Sequence, residues 1–262
     1  MSRLAASRKP PYKCVGRQCQ RILVLYGRCK KLGKQQDRVT LVKEITRAAC
    51  LYKEKLVGKK FLYVFEGKSI EVIFKAANFM HLTGVNTPLT ALHFYKYAVN
   101  GRLQANQIFF NDRHPYSLSI RKIRHLCEIA SLAGSENFVL EEIGTSTFIY
   151  RFGVTDLHFS LCMFEEVGAS GEKIYVAGSL RDEDCFAKAQ NVYAMNYIFV
   201  KPNNQKTKYK ECLFADHSCD FNTLPEAAKG QIDEEVYAQM AAIYEAEPYV
   251  VGQMEEAAIY AG

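Results

Sequence analysis

The sequence predicts an α+β fold: a curved antiparallel sheet packed against helices, preceded by a basic helical hairpin and followed by an acidic helical tail. Three observations predict it. Val39, Val42, Ile45, Ala49, Tyr52 and Leu56 recur at helical spacing within residues 36–57. β-branched and aromatic residues fill 61–66 and 69–75 on either side of Gly67-Lys68, the composition of a β-hairpin. From 137 to 215, short runs of the same kind follow one another closely, broken by Gly144, Gly153, residues 168–171 and Pro202-Asn203-Asn204. Strands so close together join as antiparallel neighbours in a sheet that curves.

The elements follow in order. Residues 15–32 carry Ile22, Leu23, Leu25 and Tyr26 among basic residues, and Gly33 is suited to cap that helix. The 36–57 helix completes a basic hairpin, ended by Gly58. After the strand hairpin, Thr87-Pro88 supplies a hydroxyl cap and a first-turn proline for a helix running to Gly101. Residues 108–110 read as a short strand and 117–132 as one helix, with Arg121, Lys122 and Arg124 exposed. Strands are expected at 137–143, 147–152, 157–165, 173–177, 192–200 and 208–215, with a helical turn at 181–189 that Ser179 would cap. From Phe221 the chain reads as two short acidic helices divided at Pro248. The domains predicted are therefore 1–58, 59–216 and 217–262.

Charge is distributed unevenly. Residues 1–60 hold seventeen Lys/Arg against three Asp/Glu, and residues 216–262 hold one Lys against ten Asp/Glu. The dense basic arm favours a polyanion, nucleic acid above all, through Arg17, Arg21, Arg28, Lys30, Lys31, Lys34, Lys43 and Arg47. It also reads as a solvated helix neutralised by the acidic tail. No apolar run reaches a membrane span, and no signal peptide is evident. Nine cysteines, an odd number without a dense framework, suit reduced thiols in a cytosol. Cys14-x4-Cys19 and Cys212-x6-Cys219, with His217 between the latter, lack zinc-knuckle spacing, so no metal is expected. Walker, dinucleotide, nucleophile-elbow and His-Glu-x-x-His motifs are absent, and no cofactor is expected.

The segment from Phe74 to Val85 has the most chemical character. A histidine, here at position 81, is a side chain that can hold or release a proton at little cost. Thr83, two residues on, points the same way if the backbone is extended. Gly84 permits a sharp turn. The segment reads either as an acid/base and phosphate-contact unit or as a turn that serves only the fold. His158, on the polar face of an expected strand, is the second histidine candidate.

Phe74-Lys75-Ala76-Ala77-Asn78-Phe79-Met80-His81-Leu82-Thr83-Gly84-Val85 resembles the signature of a phage-associated nuclease-like family, the fourth phage subgroup of a group named for Barnase, EndoU, colicin and RelE. Leu92-His93-Phe94-Tyr95-Lys96, Gly101-Arg102-Leu103 and the run from Tyr175 to Asp184 are similar in pattern. The likeness covers about 60–215. It implies a metal-independent ribonuclease in a bacterial host cytoplasm, cleaving RNA by attack of the ribose 2′-hydroxyl on the adjacent phosphate. That reaction needs a base, an acid for the leaving oxygen, and donors or cations on the phosphorane. The resemblance makes His81 the candidate acid or base, Thr83 and Ser179 the phosphate contacts, Lys96 or Arg181 the cation, and Tyr95 a stacking or proton-donating group. The implied partner is RNA, free or within a host ribonucleoprotein, in a toxin or counter-defence role. A non-catalytic inhibitor of a host defence complex, and an ADP-ribosyl-transferring enzyme, are the alternatives.

Overall fold

The computed structural model describes residues 34–146, 148–168, 171–204 and 206–246. Residues from Arg38 onward form one unit. Arg17, Arg21, Arg28, Lys30 and Lys31, the first expected helix and Pro248 lie outside the described residues. A long helix, α1 (Lys34–Lys55), leads into the hairpin of β1 (Lys59–Phe65) and β2 (Lys68–Ile73). Four helices follow: α2 (Phe79–Thr83), α3 (Ala91–Val99), α4 (Tyr116–His125) and α5 (Ile129–Leu132). Then come β3 (Phe138–Gly144), β4 (Ile149–Thr155), β5 (Ser160–Val167), β6 (Lys173–Arg181), β7 (Asn191–Ala194), β8 (Tyr197–Pro202) and β9 (Glu211–Ala215). Two short helices, α6 (Glu226–Lys229) and α7 (Glu234–Ala246), close the described chain.

The strands form one curled sheet in the order β7-β3-β4-β5-β6-β2-β1-β8-β9. Its pairs are antiparallel except at one seam, where β2 and β6 run parallel through Val72↔Tyr175 and Ile73↔Val176. The expectation of an antiparallel sheet is corrected at that seam. β1–β2 reaches β6 only after a long helical excursion, and a crossover of that kind brings strands together in parallel. Past Ile73 the chain leaves for α2, while β6 runs on to Arg181. The far half of β6 therefore has β5 on one side and helices on the other.

One face of the sheet is covered by α1 to α5. Ile45, Ala48, Ala49 and Tyr52 of α1, with Leu56 just after it, join Phe61, Phe74, Phe79, Phe94, Val154 and Leu161 in the main core. α1, read from sequence as half of a separate basic hairpin, thus buries its apolar face against the sheet side of the chain. On the opposite face, α6 and α7 cover Leu62, Val64, Tyr197 and Phe199, while Leu140, Ile143, Tyr150, Cys162 and Cys185 form a smaller cluster at the other end. Leu140 and Ile143 share a face despite their odd spacing because Glu142 between them is left-handed (φ 56°) and resets the alternation.

Several local expectations change. α3 starts three residues late, capped by the Thr90 hydroxyl accepting from His93 N (3.4 Å), because Thr87 turns its oxygen to Leu89 N instead. The expected 117–132 helix is broken between His125 and Ile129. Residues 108–110 contribute a single bridge, Asn86↔Phe109, rather than a strand. The 192–200 strand is two, β7 and β8, on opposite sides of the sheet. β5 begins only at Ser160, because Asp156 accepts from the amides of His158 and Phe159 and forms a turn, with Leu157 left-handed. His158 is therefore an exposed turn residue, not a strand residue.

Candidate active site

Phe79–Thr83 folds as one and a half turns of helix, ended by Gly84 in the left-handed region (φ 69°). A helix separates residues two apart by about 200°, so His81 and Thr83 cannot share a face. His81 is exposed, with no hydrogen-bond partner for its ring among the described residues. Thr83 is fully buried, its hydroxyl donating to Met80 O (2.7 Å) and accepting from Val85 N (3.2 Å). The turn is held by the fold as well: Gly84 O accepts from the Ser119 hydroxyl (2.8 Å) of α4.

α2 packs against α3 and β6. The Asn78 amide, just before α2, donates to Ala177 O of β6 (2.9 Å), on the edge that β2 has left free. On α3, Tyr95 points inward among Phe79 and Tyr52, at ring separations of 5.8 and 6.3 Å. Its hydroxyl is buried without a partner, and burial pushes its pKa up to about 12. Lys96 is exposed. Ser179 and Arg181 lie within β6, so Ser179 is a strand residue and not a helix cap. The segment after it holds only a 3-10 turn, Phe186–Lys188. Of the six residues proposed from sequence, Ser179 and Arg181 come together; Thr83 and Tyr95 turn into the interior, and His81 and Lys96 face solvent.

Ser179 and Arg181 line a cleft of about 310 Å³ between β6 and α4, with Leu118, Arg121, Lys122, Asp182 and Glu183. Arg121 pairs with Asp182 (3.5 Å), and Glu183 lies 3.8 Å from Arg181 and bonds to Lys188. Lys122 has no hydrogen bond and no carboxylate partner among the described residues. Its sequence position predicts exposure, but it runs along Gly84, where a Cβ would sit 2.9 Å from its Cδ. Burial holds its amino group below the ordinary lysine range, and the Arg181 guanidinium adds to that. The Arg181 Nε is buried and unpaired, and the guanidinium rests over the Tyr150 ring at 5.6 Å. Two cations with donors unsatisfied among the described residues, beside the Ser179 hydroxyl, are chemically suited to an oxyanion.

One wall of the cleft is fixed by His125. Its Nδ1 meets Glu128 Oε2 and its Nε2 meets Asp182 Oδ1, both at 2.8 Å, and the ring stacks on Phe159 at 4.8 Å. The Glu128 contact, with that of Asp182, raises its pKa above the usual histidine value. Sequence reasoning missed both Lys122 and His125. Among the described residues no His, Cys, Asp and Glu side chains gather as metal ligands, and no helix there is long and apolar enough to cross a membrane.

The curled sheet thus carries, at the free half of one strand, a cleft lined by three cations and two carboxylates, chemistry suited to an anionic ligand. The family model described as phage-Barnase-EndoU-ColicinE5/D-RelE like nuclease 4 matches residues 44–216, and the chain belongs to that family. No curated protein and no solved structure matches it.

Proposed function

We propose that the chain is a metal-independent endoribonuclease whose scissile phosphate binds in the cleft between β6 and α4. The observation that carries this reading is the pairing of Lys122, half-buried and without a carboxylate partner among the described residues, with Arg181 and Ser179 in one cavity of a nuclease-family chain. Arg181 and Ser179 hold the non-bridging oxygens and Lys122 neutralises the phosphorane. Burial holds the Lys122 amino group below the ordinary lysine range, and with no carboxylate paired to it among the described residues Lys122 is the proton-transfer group of the cleft in this reading. His81 is the second proton carrier: it lies on the short helix whose Gly84 abuts Lys122. Lys43 and Arg47, exposed on α1, and the basic residues before it grip the RNA backbone. The substrate is a host RNA or the guide RNA of an immune complex, in a toxin or counter-defence role within the bacterial cytoplasm. Incubation with labelled RNA in EDTA is expected to give 2′,3′-cyclic phosphate ends. Arg181→Ala should slow cleavage ~10²- to 10³-fold, and His81→Ala should also slow it. Intact RNA under all conditions overturns the reading.

A second reading, an RNA-binding inhibitor without turnover, is favoured by one observation. The carboxylates of the cleft, Asp182 and Glu183, are both engaged in ion pairs, leaving Lys122 as its proton-transfer group. Tight, salt-sensitive RNA binding without cleavage would select it.

A further inference from the structure

The outer face of the sheet beside the cleft carries an aromatic group that the reaction above does not use. Phe148, Tyr150 and Phe164 are in mutual ring contact, with centroids 5.0, 5.0 and 5.1 Å apart. Phe148 is 48% exposed. Its backbone is fixed by Thr145, whose hydroxyl donates to Phe148 O (2.6 Å) and accepts from Phe148 N (3.0 Å). Phe164 lies against the backbone of β6. A Cβ on Gly178 would fall 2.0 Å from its ring, so only glycine leaves that seat open. The three rings are thus held in place from two strands and a turn, while one of them stays in water. A ring held half in water leaves apolar surface that a ligand can cover favourably.

The patch is continuous with the cleft. Arg181 lines the cleft, and its guanidinium lies over Tyr150, the ring that Phe148 and Phe164 both touch. Cation and aromatic surfaces so joined match a nucleotide, which offers a phosphate and a flat π face within one residue. We propose that Phe148, held edge-to-face against Phe164, is a stacking platform for an unpaired nucleobase of a single-stranded RNA whose phosphate occupies the cleft. This rests on the reading of the cleft as a phosphate site. In a duplex the base faces are covered by their neighbours, so the platform selects unpaired RNA.

The chain has no tryptophan, so Phe148→Trp gives indole emission from one position alone. The probes are a short 2′-O-methyl single strand, which cannot be cleaved by 2′-hydroxyl attack, its abasic counterpart with the same backbone, and its duplex. The base-bearing single strand is expected to quench the emission, and the abasic strand and duplex are not. Phe148→Ala should weaken binding of the base-bearing strand about 5- to 150-fold, with abasic binding and the thermal melt unchanged. Equal quenching or equal affinity for base-bearing and abasic strands overturns the platform while leaving the cleft intact, provided Arg181→Ala still weakens both. Failure of the wild-type chain to bind either strand overturns the cleft reading and the platform together. Emission that changes with protein concentration alone marks the patch as a contact between copies and also overturns the proposal.

Discussion

Lys122 sits on an amphipathic helix at a position that reads as solvated, and its neighbours Arg121 and Arg124 are indeed exposed. Nothing local distinguishes it; it is half-buried, with its stem against Gly84, the glycine that ends another helix. A lysine whose pKa is lowered by folding opposes the folded state while it is protonated. Lys122→Met is therefore expected to raise the thermal midpoint at neutral pH and to lower cleavage at least ~10²-fold, a split that melting curves and a cleavage assay read side by side. His125 behaves in the opposite sense. Its folded pKa is raised above the ordinary 6.5, so its contribution is full below 6.5 and is lost as pH rises through the folded value. Wild-type melting temperature should fall over that window, and His125→Gln should remove the step. Its partner Asp182 is 57 residues away, a link that sequence spacing does not carry. The Thr83 side chain departs from its expected direction for a different reason: a two-residue offset aligns side chains in a strand and opposes them in a helix.

Strands were legible because β-branched and aromatic composition is local. β1, β2, β3 and β6 begin within two residues of where their composition places them. Their partners were not legible, since the parallel seam depends on what the helices between β2 and β6 do. Helix entry was legible in kind but not in position, because Thr87 and Thr90 are both competent caps and only backbone geometry chooses between them. The periodicity of α1 identifies it as a helix, yet does not say where it packs. Ile45, Ala48, Ala49, Tyr52 and Leu56 are at most 1% exposed. Burial of side chains such as Ile45, Tyr52 and Leu56 is worth ~1.5–3 kcal/mol each, comparable in sum with the ~5–15 kcal/mol stability of a domain. Deleting 1–58 is therefore expected to unfold the chain, seen as loss of the cooperative melt, whereas deleting 1–33 should preserve it.

The charge gradient along the chain belongs to the whole molecule, and composition alone displays it. Deleting 1–33 removes basic residues and leaves every residue that lines the cleft in the chain. RNA affinity should then fall, and its dependence on salt should become shallower by ~0.7 in logarithmic slope for each RNA phosphate that the arm neutralises. An unchanged slope would exclude the arm from the interface. The fold itself combines a meander of β3 to β6, with β7 on its far edge, and a second block of β9, β8, β1 and β2. The blocks meet at two residue pairs. The site arises where they part, which explains why no single stretch of sequence announced it.

Substitution scanning along β6 has an unusual signature. Tyr175, Ala177 and Leu180 belong to the main core, while Val176, Ser179 and Arg181 do not. The strand carries a register shift against β5, with Met163 opposite Ala177 and Cys162 opposite Ser179. Expression and activity scores should alternate like the teeth of a comb, and Gly178 should appear as a slip of one tooth. On the near side of the slip the comb records only folding. Beyond it, every second tooth is expected to record the activity proposed for the cleft.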